Sequence, residues 1–184
     1  MEHPPRTHPI FSACGLNCGL CPNYYTAGAS RCAGCGVEGF FNPSCGVLSC
    51  ARRHGVEFCH LCGEFPCPRY DHADEADSFI SHLHQLRDLE RARTEGIEAM
   101  LANLEEKMAL LRHLLETCND GRHKSLFCLA ANLLEPDELR AVVSQLEGTP
   151  EEPVKVRAAR AATLLQQAAE SRGIVLKLRK KPKA

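Results

Sequence analysis

The sequence predicts an α-rich protein in two parts: an irregular, metal-stapled cysteine-rich module over residues 10–70, and a helical bundle over residues 71–184. Three observations carry this expectation. Ten of the twelve cysteines precede residue 68. Residues 10–70 contain no lysine, are rich in Gly and Pro, and show no sustained apolar period of 3.6 or 2.0 residues. After Asp71 the composition turns to helix formers, with apolar residues recurring at three- and four-residue spacing.

In residues 10–70 regular elements cannot supply a core, so something other than apolar burial is expected to hold the segment. Short segments of this kind are commonly stapled by disulfides or metal, and zinc then supplies folding free energy outright. Most of the aromatic residues also lie here: Phe11, Tyr24, Tyr25, Phe40, Phe41, Phe58, Phe65 and Tyr70. They are expected to form an apolar collar around the metal. A surface for stacking bases would need basic residues interleaved with them throughout, and the segment offers no lysine and only four arginines, Arg31, Arg52, Arg53 and Arg69.

Beyond Asp71, Phe79, Ile80, Leu83, Leu86 and Leu89 fall at helical spacing, and a second stripe runs through Ile97, Met100, Leu101, Leu104, Met108, Leu111 and Leu115. Gly96 marks the break between these two helices. Asn119-Asp120-Gly121 is a turn signal, and Ser125 to Leu134 reads as a short apolar helix. Pro136-Asp137-Glu138 opens the next helix, with Pro early and acids in the first turn, and Gly148 ends it. Thr149-Pro150-Glu151-Glu152 reads as a helix start. The last helix, with Val154, Ala158, Ala161, Leu165 and Ala168 on one face, is expected to end near Gly173, with one short strand over Ile174 to Leu178.

The chain has 184 residues, a formal net charge of −1 and a pI near 6.7, which argues against a protein whose main task is to coat nucleic acid or anionic membrane. The basic end, Arg179 to Lys183, accordingly reads as a solvated tail. No apolar stretch approaches the length of a membrane span, and the first ten residues lack an apolar signal region, so a soluble, cytoplasmic protein is expected. In a reducing cytosol disulfides rarely persist, which makes metal ligation the leading explanation for the thiols.

The candidate ligands are Cys14, Cys18, Cys21, Cys32, Cys35, Cys45, Cys50, Cys59, Cys62 and Cys67. Three CxxC pairs occur among them, Cys18/Cys21, Cys32/Cys35 and Cys59/Cys62, and the last two are followed directly by Gly. Two thiolates three apart on a tight turn can clasp one ion, while the Gly takes the positive φ that the exit from the turn often requires. One pair is weak evidence, but three pairs with four further cysteines exceed what core packing alone explains. Ten thiols divide into two four-sulfur sites with two left over, or into smaller sets completed by His54 or His60. Zinc is the expected metal. A [4Fe-4S] cluster is the alternative, because Cys14-x3-Cys18-x2-Cys21 is a compact triple and both Cys21 and Cys67 precede a proline. The triple also resembles the spacing of radical S-adenosylmethionine enzymes, but the chain has neither the length nor the alternating strands and helices for their barrel.

CGLNCGLCPNY, CAGCG, the pair Cys45/Cys50 and CHLCGEFPCPRY together resemble the family known as domain of unknown function 3795, closely over residues 13 to 70. GRHKSLFCLAANLL and the terminal GIVLKLR resemble the helical extension of its longer members. The resemblance implies a cysteine-rich, metal-binding bacterial or archaeal protein and brings no established reaction.

Three kinds of function follow. Closed zinc sites would make a structural or interaction module with an unidentified protein partner. Iron–sulfur clusters would make an electron-transfer or enzyme-accessory protein. An open metal position would make an enzyme, yet no HExxH motif appears, and Glu38, Glu57 and Glu64 read as solvated or loop residues, so no catalytic residue is assigned. Cys118 and Cys128 read as small buried hydrophobes. Arg122, His123 and Lys124 read as a solvated basic cluster rather than an anion site at a helix start.

Overall fold

The computed structural model describes residues 6–148 and 152–180. Six α-helices run in chain order: α1 (Gly46–Arg53), α2 (Gln85–Glu95), α3 (Ile97–Thr117), α4 (Lys124–Leu133), α5 (Pro136–Glu147) and α6 (Val154–Glu170). Among the described residues there is no strand. No helix is long and apolar enough to cross a membrane.

The axis of the fold is α3. Its period places Met100, Leu101, Leu104, Met108, Leu111 and Leu114 in the interior, and α2, α4, α5 and α6 all pack against it. Leu104, Leu111 and Leu114 are fully buried, each contributing about 1.5–3 kcal/mol by removal from water. The apolar run of α4, Phe127 to Leu133, is buried without a break because α3 and α6 both pack on that helix. The start of α5 is fixed locally. Pro136 takes the first helical position, and the side chains of Glu135 and Glu138 exchange bonds with each other's backbone N–H in a capping box. For α6, the anticipated start at Thr149–Glu152 falls mostly on residues 149–151, outside the described residues. The described helix begins after Pro153, and Glu152 pairs with Arg160 at 2.7 Å.

Four features depart from the sequence expectation. Residues 46–53 form α1, which no periodicity announced because only Leu48 and Ala51 on it are buried. Phe79 to Leu83 do not belong to α2. The Asp77 carboxylate accepts the His82 N–H at 2.8 Å and the Arg179 N–H at 2.7 Å, which holds this stretch as a loop and leaves Phe79 53% exposed. Ile174 to Leu178 form no strand. Ile174 and Leu176 pack singly against the core, Val175 faces out, and among the described residues there is no neighbouring strand to complete a ladder. Finally, Arg179 is no solvated tail, since its guanidinium pairs with Asp77 at 2.7 Å and its side chain reaches the Asp74 carbonyl, while residues 181–183 of the expected tail lie outside the described residues.

The cysteine-rich segment shares its main core with the helices. Phe11, Leu20, Phe58 and Tyr70 belong to the same apolar cluster as Leu89, Leu104, Leu111 and Phe127. Apolar burial therefore does contribute to holding residues 10–70. A separate small cluster joins Ala13, Cys35, Leu48 and Ala51. Polar contacts fix the junction with α2: the Asn17 amide donates to Asp88 at 2.8 Å, and the Gln85 amide donates to the Cys14 carbonyl at 2.9 Å. Asp88, 2% exposed, also receives Arg87. Nearby, Lys107 is 3% exposed with Glu135 at 4.0 Å, and burial lowers its pKa. Gly15 makes the close approach possible. Its φ is +91°, and a Cβ there would stand 2.5 Å from the Gln85 carbonyl oxygen and 2.6 Å from Leu89.

Two outcomes follow. Gly15→Ala is expected to destabilise the chain by about 2 kcal/mol or more, from backbone strain plus the clash with α2, read as a lower urea midpoint. Burial alone would raise the Asp77 pKa, but bonds from the Arg179 side chain, the Arg179 N–H and the His82 N–H outweigh it and hold the carboxyl at about 2, against 3.8 ordinarily. A depressed folded pKa contributes stability that is present above the unfolded value and lost as pH falls through the folded one. The stability difference between the wild type and Asp77→Ala is therefore expected to be constant above about pH 5 and to shrink between about pH 4 and pH 2, measured by urea denaturation at each pH.

Candidate metal centre

The Cys18/Cys21 and Cys59/Cys62 pairs are each wound on a single 3-10 turn, Cys18–Leu20 and Cys59–Leu61, with the second cysteine's N–H donating to the first one's carbonyl at 3.1 and 3.0 Å. Such a turn nearly eclipses residues three apart, the arrangement two thiolates need to face one ion. The Cys32/Cys35 pair is tied back onto the start of the segment, Cys32 donating to the Asn23 carbonyl at 3.0 Å and Cys35 to the Pro9 carbonyl at 2.8 Å. Gly36, which follows it, has φ +77° as the CAGCG motif anticipates, whereas Gly63 after CHLCG keeps a negative φ.

The thiols fall into two neighbourhoods. Cys18 is half-buried: burial, then the thiols of Cys35, Cys14, Cys21 and Cys32, push its pKa well above the ordinary 9.0. The second neighbourhood is a narrow cavity of about 50 Å³ lined by Cys50, His54, Cys59, Cys62 and Cys67. There the His54 Nδ1 lies 3.8 Å from the Cys62 sulfur. The Tyr70 hydroxyl is shared between the Cys59 sulfur and the Cys14 carbonyl, the latter at 3.4 Å. Burial first, and the nearby thiols of Cys14, Cys67 and Cys50 after it, raise Cys59 to about 11. Cys14 stands between the two groups, with its sulfur 3.1 Å from the Ser12 hydroxyl. Cys45, the N-cap of α1, adjoins Cys14 and Cys35.

All twelve cysteines are free. As the side chains stand, no three His, Cys, Asp or Glu groups among the described residues converge closely enough to enclose one metal ion. The arrangement gathers soft donors without closing on a point, and the donor chemistry itself suits a thiophilic ion.

The aromatic collar forms only in part. Phe11 and Phe58 pack at 5.5 Å and Phe65 and Tyr70 at 5.6 Å beside the thiols, and Arg6 lies over Phe58 at 4.9 Å. Phe41 instead pairs with Phe79 at 4.8 Å on the surface, 58% exposed. His60 is buried, stacked on Phe58 at 5.5 Å with no partner for its Nδ1 among the described residues, while His54 is the histidine that reaches the cavity. One neighbour escaped the sequence reading. Cys128 on α4 is buried and stands close enough to Cys21 that the two thiols oppose each other's ionisation, burial being the larger cause of its rise to about 12. Its position so far along the chain carries no spacing signal.

Residues 10–72 match the model of a family described as "Protein of unknown function (DUF3795)", the segment over which the cysteine spacing shows its resemblance. No curated protein and no solved structure matches the chain. In reduced, metal-free protein at pH 7, Cys35, Cys118 and Cys128, the three buried cysteines, are expected to react slowest with iodoacetamide, because the reagent cannot reach their sulfurs and burial keeps Cys35 and Cys128 protonated. Peptide mapping by mass spectrometry reads the order.

Proposed function

We propose that residues 10–70 bind metal through their thiols, with zinc in two closed thiolate sites serving a structural or interaction role. The observation that carries this reading is the gathering of free thiols into two neighbourhoods on turns that present cysteine pairs. Cys18, Cys21, Cys32 and Cys35 make the natural donor set for one ion. Cys50, Cys59, Cys62 and Cys67 make the set for the other, with His54 able to replace one sulfur and Cys14 and Cys45 lying between. Binding would draw each set inward to Zn–S distances of about 2.3 Å.

The electrostatics support a cation at these places. Burial and mutual repulsion both oppose thiolate formation, and a bound divalent ion reverses that balance by supplying the largest local charge. Four thiolates leave no open coordination position, so such a site stabilises the fold and does no chemistry. An interaction role draws support from the Phe41–Phe79 pair and from Leu61, which is 59% exposed.

Iron–sulfur is the second reading. Cys21 and Cys67 occupy equivalent corners, each the N-cap of a 3-10 turn opened by the following proline, so the structure presents two Cys-Pro corners of the kind that cluster motifs use.

Metal analysis with an absorption spectrum, on protein purified without oxygen, is the deciding test. About two zinc ions per chain without visible absorbance are expected; iron with acid-labile sulfide would overturn zinc in favour of the second reading. A Cys18→Ser/Cys21→Ser double variant is expected to halve the metal content, which one shared site would not allow. Chelation is expected to lower the Tm of the whole chain, because Phe11, Leu20, Phe58 and Tyr70 share the helical core.

A further inference from the structure

A second cavity, of about 360 Å³, opens on the side of the molecule where the loop after Cys21 meets the end of α3 and the start of α4. Its volume falls within the range of small-molecule sites. Three cations line it from three different elements: Arg31 from the loop, Arg112 from α3, and Lys124 at the first position of α4. Against them the lining holds one carboxylate, Glu116. This is a local positive surplus on a chain whose net charge is −1.

We propose that this cavity binds a small multivalent oxyanion, a phosphorylated compound or a dicarboxylate.

The cations are held ready and not neutralised. Arg31 lies over the Tyr24 ring at 5.1 Å, which orients its planar fork without using its charge. Lys124 donates to the neutral Thr26 hydroxyl at 3.3 Å. Among the described residues neither they nor Arg112 forms an ion pair, although Arg87, Arg140, Arg172 and Arg179 elsewhere on the molecule each reach a carboxylate. Two guanidinium forks and an ammonium around one cavity supply directional donors for two or more anionic oxygens, the arrangement that favours doubly charged oxyanions over chloride.

An independent observation comes from Tyr25, which lines the same cavity. Its hydroxyl oxygen is buried and has no hydrogen-bond partner among the described residues. A buried hydroxyl without a partner costs about 1–3 kcal/mol unless something satisfies it; beyond its burial, the groups that act on this one are the Cys128 thiol first, then Arg112 and, more weakly, Arg31. An anion held by the two guanidinium groups can accept the hydroxyl proton once the Tyr25 side chain turns its hydroxyl toward the cavity. The inference stands apart from the metal reading, because it uses no thiol.

The chain contains three tyrosines and no tryptophan, so intrinsic tyrosine fluorescence reports chiefly on Tyr24 and Tyr25 in this cavity. The test titrates the full chain, as purified, with inorganic phosphate and separately with succinate at low ionic strength. A saturable change with at least one of them is expected. Saturation by phosphate alone identifies a phosphoryl ligand, and saturation by succinate alone a dicarboxylate. Arg112→Ala, on an exposed side chain, is expected to weaken binding at least about tenfold. Tyr25→Phe is expected to weaken it while circular dichroism stays unchanged. Lys155→Ala, on the exposed start of α6, is expected to bind like the wild type. Absence of saturation with both anions overturns the proposal, as does Arg112→Ala binding unchanged or Lys155→Ala losing as much as Arg112→Ala.

Discussion

Everything in this molecule depends on the seam where the cysteine-rich segment lies against α2 and α3. Residues 10–70 have too few apolar side chains to fold on a core of their own, so they contribute Phe11, Leu20, Phe58 and Tyr70 to the core that the helices build. Close approach makes this contribution possible: Gly15 lets the chain run against the Gln85 carbonyl, and Gly19 sits against Met108 with no room for a side chain. Asn17 and Gln85 then set the register, the first with a buried bond to Asp88 and the second with a partly buried one to the Cys14 carbonyl. The turns that carry the cysteine pairs are positioned from this seam.

A tension remains within the cysteine-rich segment. Burial makes the thiols good members of a small core, and the same burial opposes the charge that would make them ligands. Neutral thiols at these positions are weak glue, worth little more than their contact area. Ionised thiols without a counter-charge would repel one another. The two states differ in what accompanies them, which is why a cation at the two thiol neighbourhoods would change both stability and shape, and why proton release should accompany its entry.

Much of this fold was legible in the sequence, in the places where one physical rule dominates. The stripe of α3, the break at Gly96 and the proline-opened start of α5 are all local signals, and all fall where read. The cysteine pairs were equally legible as pairs. The failures have two causes: contacts distant in the chain decided most of them, and a shortage of buried positions hid α1. The apolar spacing of Phe79 to Leu83 gave way to Asp77, whose partner is Arg179. The short helix α1 has too few buried positions to produce a period. The partition of thiols into neighbourhoods, and the presence of Cys128 beside Cys21, come from how the segment folds back on α3 and α4, which no spacing rule encodes.

The tie between Arg179 and Asp77 has a kinetic meaning. It joins residues 102 positions apart, and the entire bundle lies between them. Closing a loop of that length costs chain entropy that grows only slowly with loop size, but it is repaid only once the helices inside have packed and shortened the gap. The pair is therefore a fastening expected to form after the helices it spans. Without it, residues 77–83 keep only local ties, chiefly the His82 N–H on the Asp77 carboxylate, against the helical spacing of their apolar residues. The native loop is in this sense an instruction delivered in part by the far end of the bundle.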